Sequence, residues 1–356
     1  MQALRDLICQ RFAGAVIDEV RPLGADGGAD ATHKELGYGV PIRVAFHDGD
    51  GRARAVVFHT ARADQFGHDR RADRLGAMVL AYDTFGAVPD HAAAIDVGVI
   101  DAHGALRSLA DTGEAYLVTE WAEGAPYADD LRRVAERGIT DVDRQRVDRL
   151  ATYLAALHGA RGGPTAGYAR AVRDLVGAGE GVFGMIDGYP ADVPGAPPAR
   201  LRALEAACVD WRWRLRDRGA RLARIHGDFH PFNLLFDAGG ALRLLDASRG
   251  CVGEPADDLT ALAVNYVFFA IDHPGAWRAG LGELWHRLWD GWLAATGDRD
   301  VLAVAAPWLA WRALVVCNPR WYPRLSPRGR DAMLGWVEGV LAAPALVLTS
   351  ADAVVP

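Results

Sequence analysis

The chain has 356 residues, of which 51% are hydrophobic and 24% are charged. This length and composition predict a soluble protein built from two domains, or two lobes, and exclude a disordered or fibrous chain. The net charge of −7 argues against a general nucleic-acid-binding protein. The four cysteines lie far apart, with no CxxC pair and no Cys/His cluster, so we expect neither a zinc ribbon nor a disulfide framework.

The sequence contains no segment that predicts secretion or membrane insertion. Residues 1–12 carry charged side chains and lack the apolar core of a signal peptide. The longest apolar run, residues 260–271, is shorter than the roughly 20 residues that span a bilayer, and Arg312 interrupts a second run at 301–317. We therefore expect a cytoplasmic protein with no membrane partner.

Short β-type runs dominate the first third of the chain. They predict strands at 16–23, 41–47, 54–60, 94–100 and 115–121, and helical spacing predicts a helix at 64–85. The glycine-rich residues 24–39 read as a loop, and this loop holds Lys34, the only lysine among the 39 basic residues. Together these segments predict a first lobe over residues 1–121.

Helical patterns dominate residues 122–356, the predicted second lobe. Helices are expected at 141–158 and 198–218, and three or four more at 255–342, the last beginning at Ser326 and Pro327. Two short strands are expected between them, at 234–236 and 242–245. The fold class is therefore α+β, with a cleft between the two lobes as the expected ligand site.

A three-part motif carries the chemistry. It consists of HGDFHPFN at 226–233, LLD at 244–246 and GEPADDL at 253–259. Phosphoryl transfer needs a carboxylate that orients the attacking hydroxyl and oxygen ligands that hold Mg²⁺ against the phosphates. Asp228, Asn233 and Asp246 supply these groups with the spacing seen in kinase catalytic loops.

These motifs resemble the aminoglycoside phosphotransferase family, which shares its fold with choline, fructosamine and other small-molecule kinases. The resemblance extends over roughly residues 15–345. It implies a bilobal protein kinase-like fold, with an antiparallel sheet and one helix in the N-lobe and a mainly helical C-lobe. It also implies Mg²⁺, ATP or GTP as the nucleotide, and a small metabolite or an aminoglycoside-like compound as the acceptor.

Carried over residue by residue, the resemblance makes Asp228 the catalytic base, with Asn233 and Asp246 as the Mg²⁺ ligands. His226 and Asp258 would brace the catalytic loop. Residues 120–124 fall where the adenine would be held through backbone groups, and Glu120 and Ala122 are the candidates there. His230 is interpreted as a solvated or loop-bracing residue and His158 as a packing residue.

The sequence departs from the family pattern on the third strand. His59 stands where a lysine should grip the nucleotide phosphates. Either Lys34 replaces that lysine, with Asp73 (or Asp69) as its partner carboxylate, or the protein is a pseudokinase that only binds nucleotide or metabolite. We favour Lys34 because the Asp228, Asn233 and Asp246 set is intact.

Two further alternatives concern other parts of the sequence. The GDFH letters at 227–230 resemble a metallophosphoesterase fragment, but the chain contains no GNH segment for a two-metal site, so this reading is disfavoured. Eight of the eleven tryptophans follow residue 276, and they either line an acceptor pocket or fill a helical core. Helical spacing favours the core. The eight are Trp277, Trp285, Trp289, Trp292, Trp308, Trp311, Trp321 and Trp336.

Overall fold

The computed structural model describes residues 2–23, 41–164, 166–247 and 249–355. The chain divides into two compact units, Met1–Val118 and Thr119–Pro356. Each unit has its own hydrophobic core. None of the helices within the described ranges is long and apolar enough to cross a membrane.

The first unit combines antiparallel strands with helices. Its elements are α1 (Gln2–Arg11), β1 (Val16–Pro22), β2 (Ile42–His47), β3 (Ala53–Phe58), α2 (Arg71–Phe85), β4 (Gly98–Ile100) and β5 (Leu106–Ser108). Strands β1, β2 and β3 form one antiparallel sheet in that order, and β4 pairs with β5. The β2–β3 register is regular, from Ile42 opposite Phe58 to His47 opposite Ala53.

The core of the first unit follows from side-chain periodicity. Alternation along β2 points Val44 and Phe46 to one face of the sheet, where both are fully buried. Leu4 and Ile8, four residues apart on one face of α1, complete this core.

Four predictions for residues 1–121 are wrong in extent or in kind. The helix begins at Arg71 rather than near residue 64, because Asp73 accepts a hydrogen bond from the Arg70 N–H and fixes the first turn there. Only Gly98–Ile100 of the strand predicted at 94–100 is a strand, and α1 adds a second helix where one was expected. Residues 115–121 form no strand, since no described strand pairs with them, and Tyr116 is 90% exposed.

The second unit is mainly helical. Its helices are α3 (Tyr127–Arg137), α4 (Asp141–His158), α5 (Gly167–Gly177), α6 (Val182–Asp187), α7 (Pro198–Leu215), α8 (Pro255–Ile271), α9 (Gly282–Thr296), α10 (Val301–Val304), α11 (Ala306–Cys317) and α12 (Pro327–Ala342). Its strands are β6 (Ala125–Pro126), β7 (Ala223–Arg224), β8 (Leu234–Phe236), β9 (Leu242–Leu244) and β10 (Val252–Gly253). They form two small antiparallel sheets, β6-β8-β9 and β10-β7.

Tryptophan side chains fill much of the second core. Trp285, Trp289 and Trp292 recur at helical spacing on α9 and are fully buried. Ring centroids lie 5.9 Å apart for Trp285 and Trp289, and 5.7 Å apart for Trp285 and Trp336. Of the eight tryptophans after residue 276, only Trp321 is well exposed, at 58%. The core interpretation is therefore correct for most of this group.

The predicted cap of the last helix is confirmed. Ser326 Oγ accepts a hydrogen bond from the Gly329 N–H at 2.9 Å, and Pro327 occupies the first helical position. Asp272, at the end of α8, accepts the Ser326 N–H at 2.7 Å and so ties the start of α12 to α8.

Candidate active site

The catalytic-loop motif forms the connection between β7 and β8 in the second unit. Gly227 has φ +83°, and a Cβ atom there would lie 2.9 Å from the carbonyl oxygen of Gly250. Only glycine adopts this conformation without strain so close to another backbone. The Gly before Asp228 is therefore required by the turn that presents the carboxylate.

Asp258, in the first turn of α8, holds this loop. Its two carboxylate oxygens accept the backbone N–H groups of His226 and Gly227, each at 2.8 Å. His158 Nε2 lies 3.1 Å from Asp258 Oδ2, and the Trp292 indole N–H donates to His158 Nδ1 at 3.0 Å. Because Nδ1 accepts a hydrogen bond, the ring proton is on Nε2, and Nε2 donates a hydrogen bond to Asp258. Asp258 thus braces the loop as predicted, and His158 supports it in addition to packing.

The His226 side chain contacts residues of its own loop rather than solvent. Its side chain is largely buried, and its Nδ1 accepts the Asp228 N–H at 3.3 Å. The ring lies edge-on to Phe229, whose own ring stacks on Tyr153 of α4. These contacts fix the backbone on both sides of Asp228.

Asp228 itself is 9% exposed and lies close to three basic side chains. Arg312 Nη1 donates to Oδ1 at 2.7 Å, while His230 Nε2 and Arg249 Nε lie 3.6 and 3.9 Å from Oδ2. Burial raises the pKa of this carboxyl, but the interaction with His230 and the charges of Arg312 and Arg249 outweigh it and hold the pKa well below its usual range. Asp228 is therefore ionised at neutral pH.

Arg312 connects Asp228 to a second buried carboxylate. Its Nη2 donates to Asp257 Oδ1 at 2.5 Å and to the carbonyl oxygen of Gly227 at 3.1 Å. The guanidinium carbon lies 3.9 Å from the centroid of the Trp311 ring. Burial raises the pKa of Asp257 to about 6, although the charge of Arg312 opposes the rise.

The two predicted metal ligands lie at one end of a β-hairpin. Asn233 directly precedes β8, Asp246 follows β9 by two residues, and the Leu245 N–H donates to the Asn233 carbonyl at 2.9 Å. Asn233 Nδ2 donates to the Asp228 carbonyl at 3.1 Å. Asp246 is exposed and has φ +52°, a left-handed conformation that is uncommon outside glycine.

An open pocket of about 280 Å³ lies beside this hairpin. Its lining includes two of the predicted site residues, His226 and Asp246, together with Tyr153 and Leu157 of α4. Across the part of the chain that the structure describes, no cluster of three or more His, Cys, Asp or Glu side chains is arranged to hold a metal. Any ion here would depend on few protein ligands, as Mg²⁺ commonly does when it also binds phosphate oxygens and water.

The described nucleotide-binding candidates of the first unit lie after β3 and around the start of α2. His59 is exposed and directly follows β3. Asp73 accepts the Arg70 N–H at 2.9 Å, so its carboxylate serves the start of α2. Asp69, the other proposed partner, precedes α2. Lys34 lies outside the described residues.

The predicted adenine segment belongs to the second unit and leads into β6. Glu120 is exposed and Ala122 is partly buried. Trp121, between them, is 85% exposed, and its indole N–H donates to Glu123 at 2.8 Å. The β6 strand that follows pairs with β8, at the far end from Asn233.

Sequence reasoning missed two residues that contact or approach Asp228, Arg312 and Arg249, and a third, Asp257, which is the second partner of Arg312. One signal was available, since Arg312 is the charged residue that interrupts an otherwise apolar run. Asp257 and Glu254 are both buried, and each carboxylate pairs with an arginine, Asp257 with Arg312 and Glu254 with Arg221.

This chain is similar to known proteins in sequence and in structure. A sequence model described as "Phosphotransferase enzyme family" matches residues 70–295, which include the catalytic loop, both predicted metal ligands and Asp258. A search of curated proteins gives no match.

Several solved structures are similar over parts of the chain. A glucosamine kinase in complex with glucosamine, ADP and inorganic phosphate is 20% identical, with a TM-score of 0.36, over 61% of this chain and 57% of that one. Less than two thirds of the glucosamine kinase chain is therefore matched. The choline kinase LicA from Streptococcus pneumoniae is 12% identical, with a TM-score of 0.37, over 96% and 98% of the two chains. An ethanolamine kinase from Plasmodium vivax is also 12% identical, with a TM-score of 0.35, over 86% and 79%.

Proposed function

Because this chain belongs to the phosphotransferase enzyme family, it is a phosphotransferase, and we propose that it transfers the γ-phosphoryl group of ATP or GTP to a hydroxyl group of a small molecule. The observation that carries this proposal is Asp228: a buried, ionised carboxylate at the tip of a loop that Asp258 holds by two backbone hydrogen bonds. A fixed carboxylate of this kind orients an attacking hydroxyl.

The reaction proceeds by in-line displacement at the γ-phosphorus. The acceptor hydroxyl donates a hydrogen bond to Asp228 Oδ2, its oxygen bonds to phosphorus, and the bond to the β-phosphate oxygen breaks. The proton passes to Asp228, and the nucleoside diphosphate leaves. A carboxylate with a low pKa suffices because phosphoryl transfer has a loose transition state, in which positioning and charge stabilisation contribute most of the rate enhancement.

Asn233 and Asp246 are the residues that would hold Mg²⁺. Both offer oxygen ligands, which Mg²⁺ prefers, the pairing of Leu245 with Asn233 supports their placement at one end of the hairpin, and Asn233 also contacts the Asp228 carbonyl. Asp246 is exposed, so its carboxylate oxygens are accessible to an ion. A magnesium ion held by these two residues would supply positive charge that offsets the charge of the phosphates during transfer.

We assign nucleotide binding to the remaining predicted site residues. The backbone around Glu120 and Ala122 would hold the base, and Lys34, paired with Asp73, would contact the phosphates that His59 cannot grip with a fixed charge. Lys34→Ala should then weaken nucleotide binding far more than His59→Ala, as measured by calorimetric titration. The reverse order of effects would refute the role of Lys34.

Product detection tests the proposed activity. The purified protein is incubated with Mg²⁺ and either ATP or GTP against a panel of glucosamine, choline, ethanolamine and an aminoglycoside, and each acceptor is analysed by mass spectrometry. We expect one acceptor class to gain a phosphoryl group, dependent on Mg²⁺ and abolished in Asp228→Ala. Transfer that persists in Asp228→Ala would refute the assignment of the base.

The second candidate is a pseudokinase that binds nucleotide or metabolite without turnover. His59, in place of the expected strand-three lysine, is the observation that favours it. This candidate predicts that Mg²⁺-nucleotide stabilises the protein while no acceptor is phosphorylated. In either case we expect a cytoplasmic protein without a nucleic-acid or membrane partner.

A further inference from the structure

We propose that Arg312 is a positioning residue for the phosphoryl transfer: it binds Asp228 through Oδ1 and thereby turns Oδ2 toward the acceptor hydroxyl. This role rests on the proposed function, since it concerns how the proposed base is oriented. Arg312 lies on α11, C-terminal to the residues 70–295 that the family comparison covers. Its role is therefore inferred from the geometry of this chain.

Arg312 is a charged side chain in a buried position, which is unfavourable without charged partners. It is 5% exposed in a helix whose other buried residues are all apolar. Burying a guanidinium ion costs several kcal/mol unless charged partners compensate. The compensating partners are the carboxylates of Asp228 and Asp257, and the Nε of Arg312 still finds no acceptor among the residues described.

The fork of the guanidinium gives the two oxygens of Asp228 different roles. Nη1 holds Oδ1 at 2.7 Å, while Nη2 is anchored on Asp257 Oδ1 and on the Gly227 carbonyl. The Trp311 ring lies against the guanidinium and limits its rotation. Oδ2 is left with His230 and Arg249, both partly exposed and beyond normal hydrogen-bond length. It is therefore the oxygen available to a hydroxyl.

Two other buried arginines have a different pattern of partners. Arg330 donates to three backbone carbonyls, those of Cys317, Pro194 and Leu325, at 2.8–3.3 Å. Arg221 pairs with Glu254 and Asp298. Neither touches a residue assigned to the reaction, so both have structural roles. Arg312 alone of these three donates directly to the proposed base.

The test compares Arg312→Met, Arg312→Lys and the control Arg330→Met, with the panel compound that the wild type phosphorylates fastest as the acceptor. For Arg312→Met we expect kcat per folded molecule to fall by about tenfold or more, because a misdirected carboxylate costs rate, with the nucleotide KM within about twofold. Arg312→Lys keeps the charge but not the fork, so its kcat should be intermediate. Arg330→Met should lower the melting temperature and leave kcat unchanged.

The split between kcat and KM provides a readout that a structural role would not move. A loss of packing lowers the amount of folded protein, whereas a misdirected Asp228 lowers kcat per folded molecule and leaves the nucleotide KM unchanged. Partial recovery of kcat in Arg312→Lys would show that the charge contact with Asp228 matters. Should Arg312→Met not fold, Arg312→Met combined with Asp257→Asn removes the unpaired buried charge and should show the same loss of kcat.

The outcomes separate the two proposals. A wild type that phosphorylates no acceptor refutes the proposed function and this role with it. An active wild type with an equally active Arg312→Met, altered only in melting temperature, refutes the positioning role alone.

Discussion

At the scale of single residues, Asp257 controls a pH-dependent part of the stability. Burial raises its pKa to about 6 in the folded state, against 3.8 as its ordinary value. Between these two values the folded state binds more protons than the unfolded state, so this residue stabilises the fold at low pH. That contribution is lost as the pH rises through about 6.

Asp257→Asn removes this titration while keeping an oxygen that can accept from Arg312. We therefore expect the free energy of unfolding of the variant to rise relative to the wild type between pH 4 and pH 6.5. A pKa difference of this size corresponds to about 3 kcal/mol. Urea denaturation across this pH range measures it, and parallel pH dependences for the two proteins would contradict the assigned pKa.

Residues of the candidate site also differ in whether the sequence could predict them. Asp228, Asn233 and Asp246 were predicted as site residues because their spacing along the chain is typical of kinase catalytic loops. Arg312 was not, since it reaches Asp228 across 84 positions of sequence and only the packing of α11 brings them together. An isolated charge in an apolar run indicates a buried partner without identifying it.

At the scale of secondary-structure elements, the first turn of α8 holds the catalytic loop in place. Asp258 accepts three hydrogen bonds, from two backbone N–H groups and from His158. An asparagine offers only one oxygen, so Asp258→Asn leaves at least one buried donor unpaired. We expect its free energy of unfolding to fall by about 1–3 kcal/mol, together with a loss of kcat.

The matched control is Asp272→Asn, at the exposed opposite end of the same helix. Asp272 contacts Ser326 and no residue assigned to the reaction, so this variant should lose less stability and keep its kcat. Urea denaturation and a turnover assay distinguish the two. Equal effects of both substitutions would show that Asp258 acts only as a helix residue.

Elements differed in how well the sequence predicted them. The bounds of α4 and β8 agree with the prediction, because a sustained apolar stripe and the adjoining motif define them locally. Residues 115–121 are rich in β-forming side chains and yet form no strand. A strand requires a partner, which local composition does not specify.

At the scale of the whole molecule, nucleotide binding should be visible as stabilisation. A ligand at 100 times its Kd adds about 2.7 kcal/mol to the free energy of unfolding. We expect ATP or GTP to give a shift of this order in the presence of Mg²⁺, and Asp246→Asn to lose the Mg²⁺-dependent part. Thermal-shift titration with and without Mg²⁺ measures it.

Asp237→Asn is the control for this titration. Asp237 lies at the other end of the β8–β9 hairpin and accepts the Gly239 and Ala241 N–H groups within its turn, far from the proposed metal ligands. It should keep the full Mg²⁺-dependent shift. If Asp246→Asn kept it as well, Asp246 would not be a metal ligand.

The most direct test of the proposed mechanism compares Asp228→Asn with the wild type in two quantities, the kcat of phosphoryl transfer and the Kd for Mg²⁺-nucleotide. Asparagine preserves the size of the side chain but cannot take a proton from the acceptor. We predict that kcat falls by about 10²–10⁴-fold while the Kd changes by less than about threefold. A variant that retains wild-type kcat would contradict the assignment of Asp228 as the base, and with it the proposed mechanism.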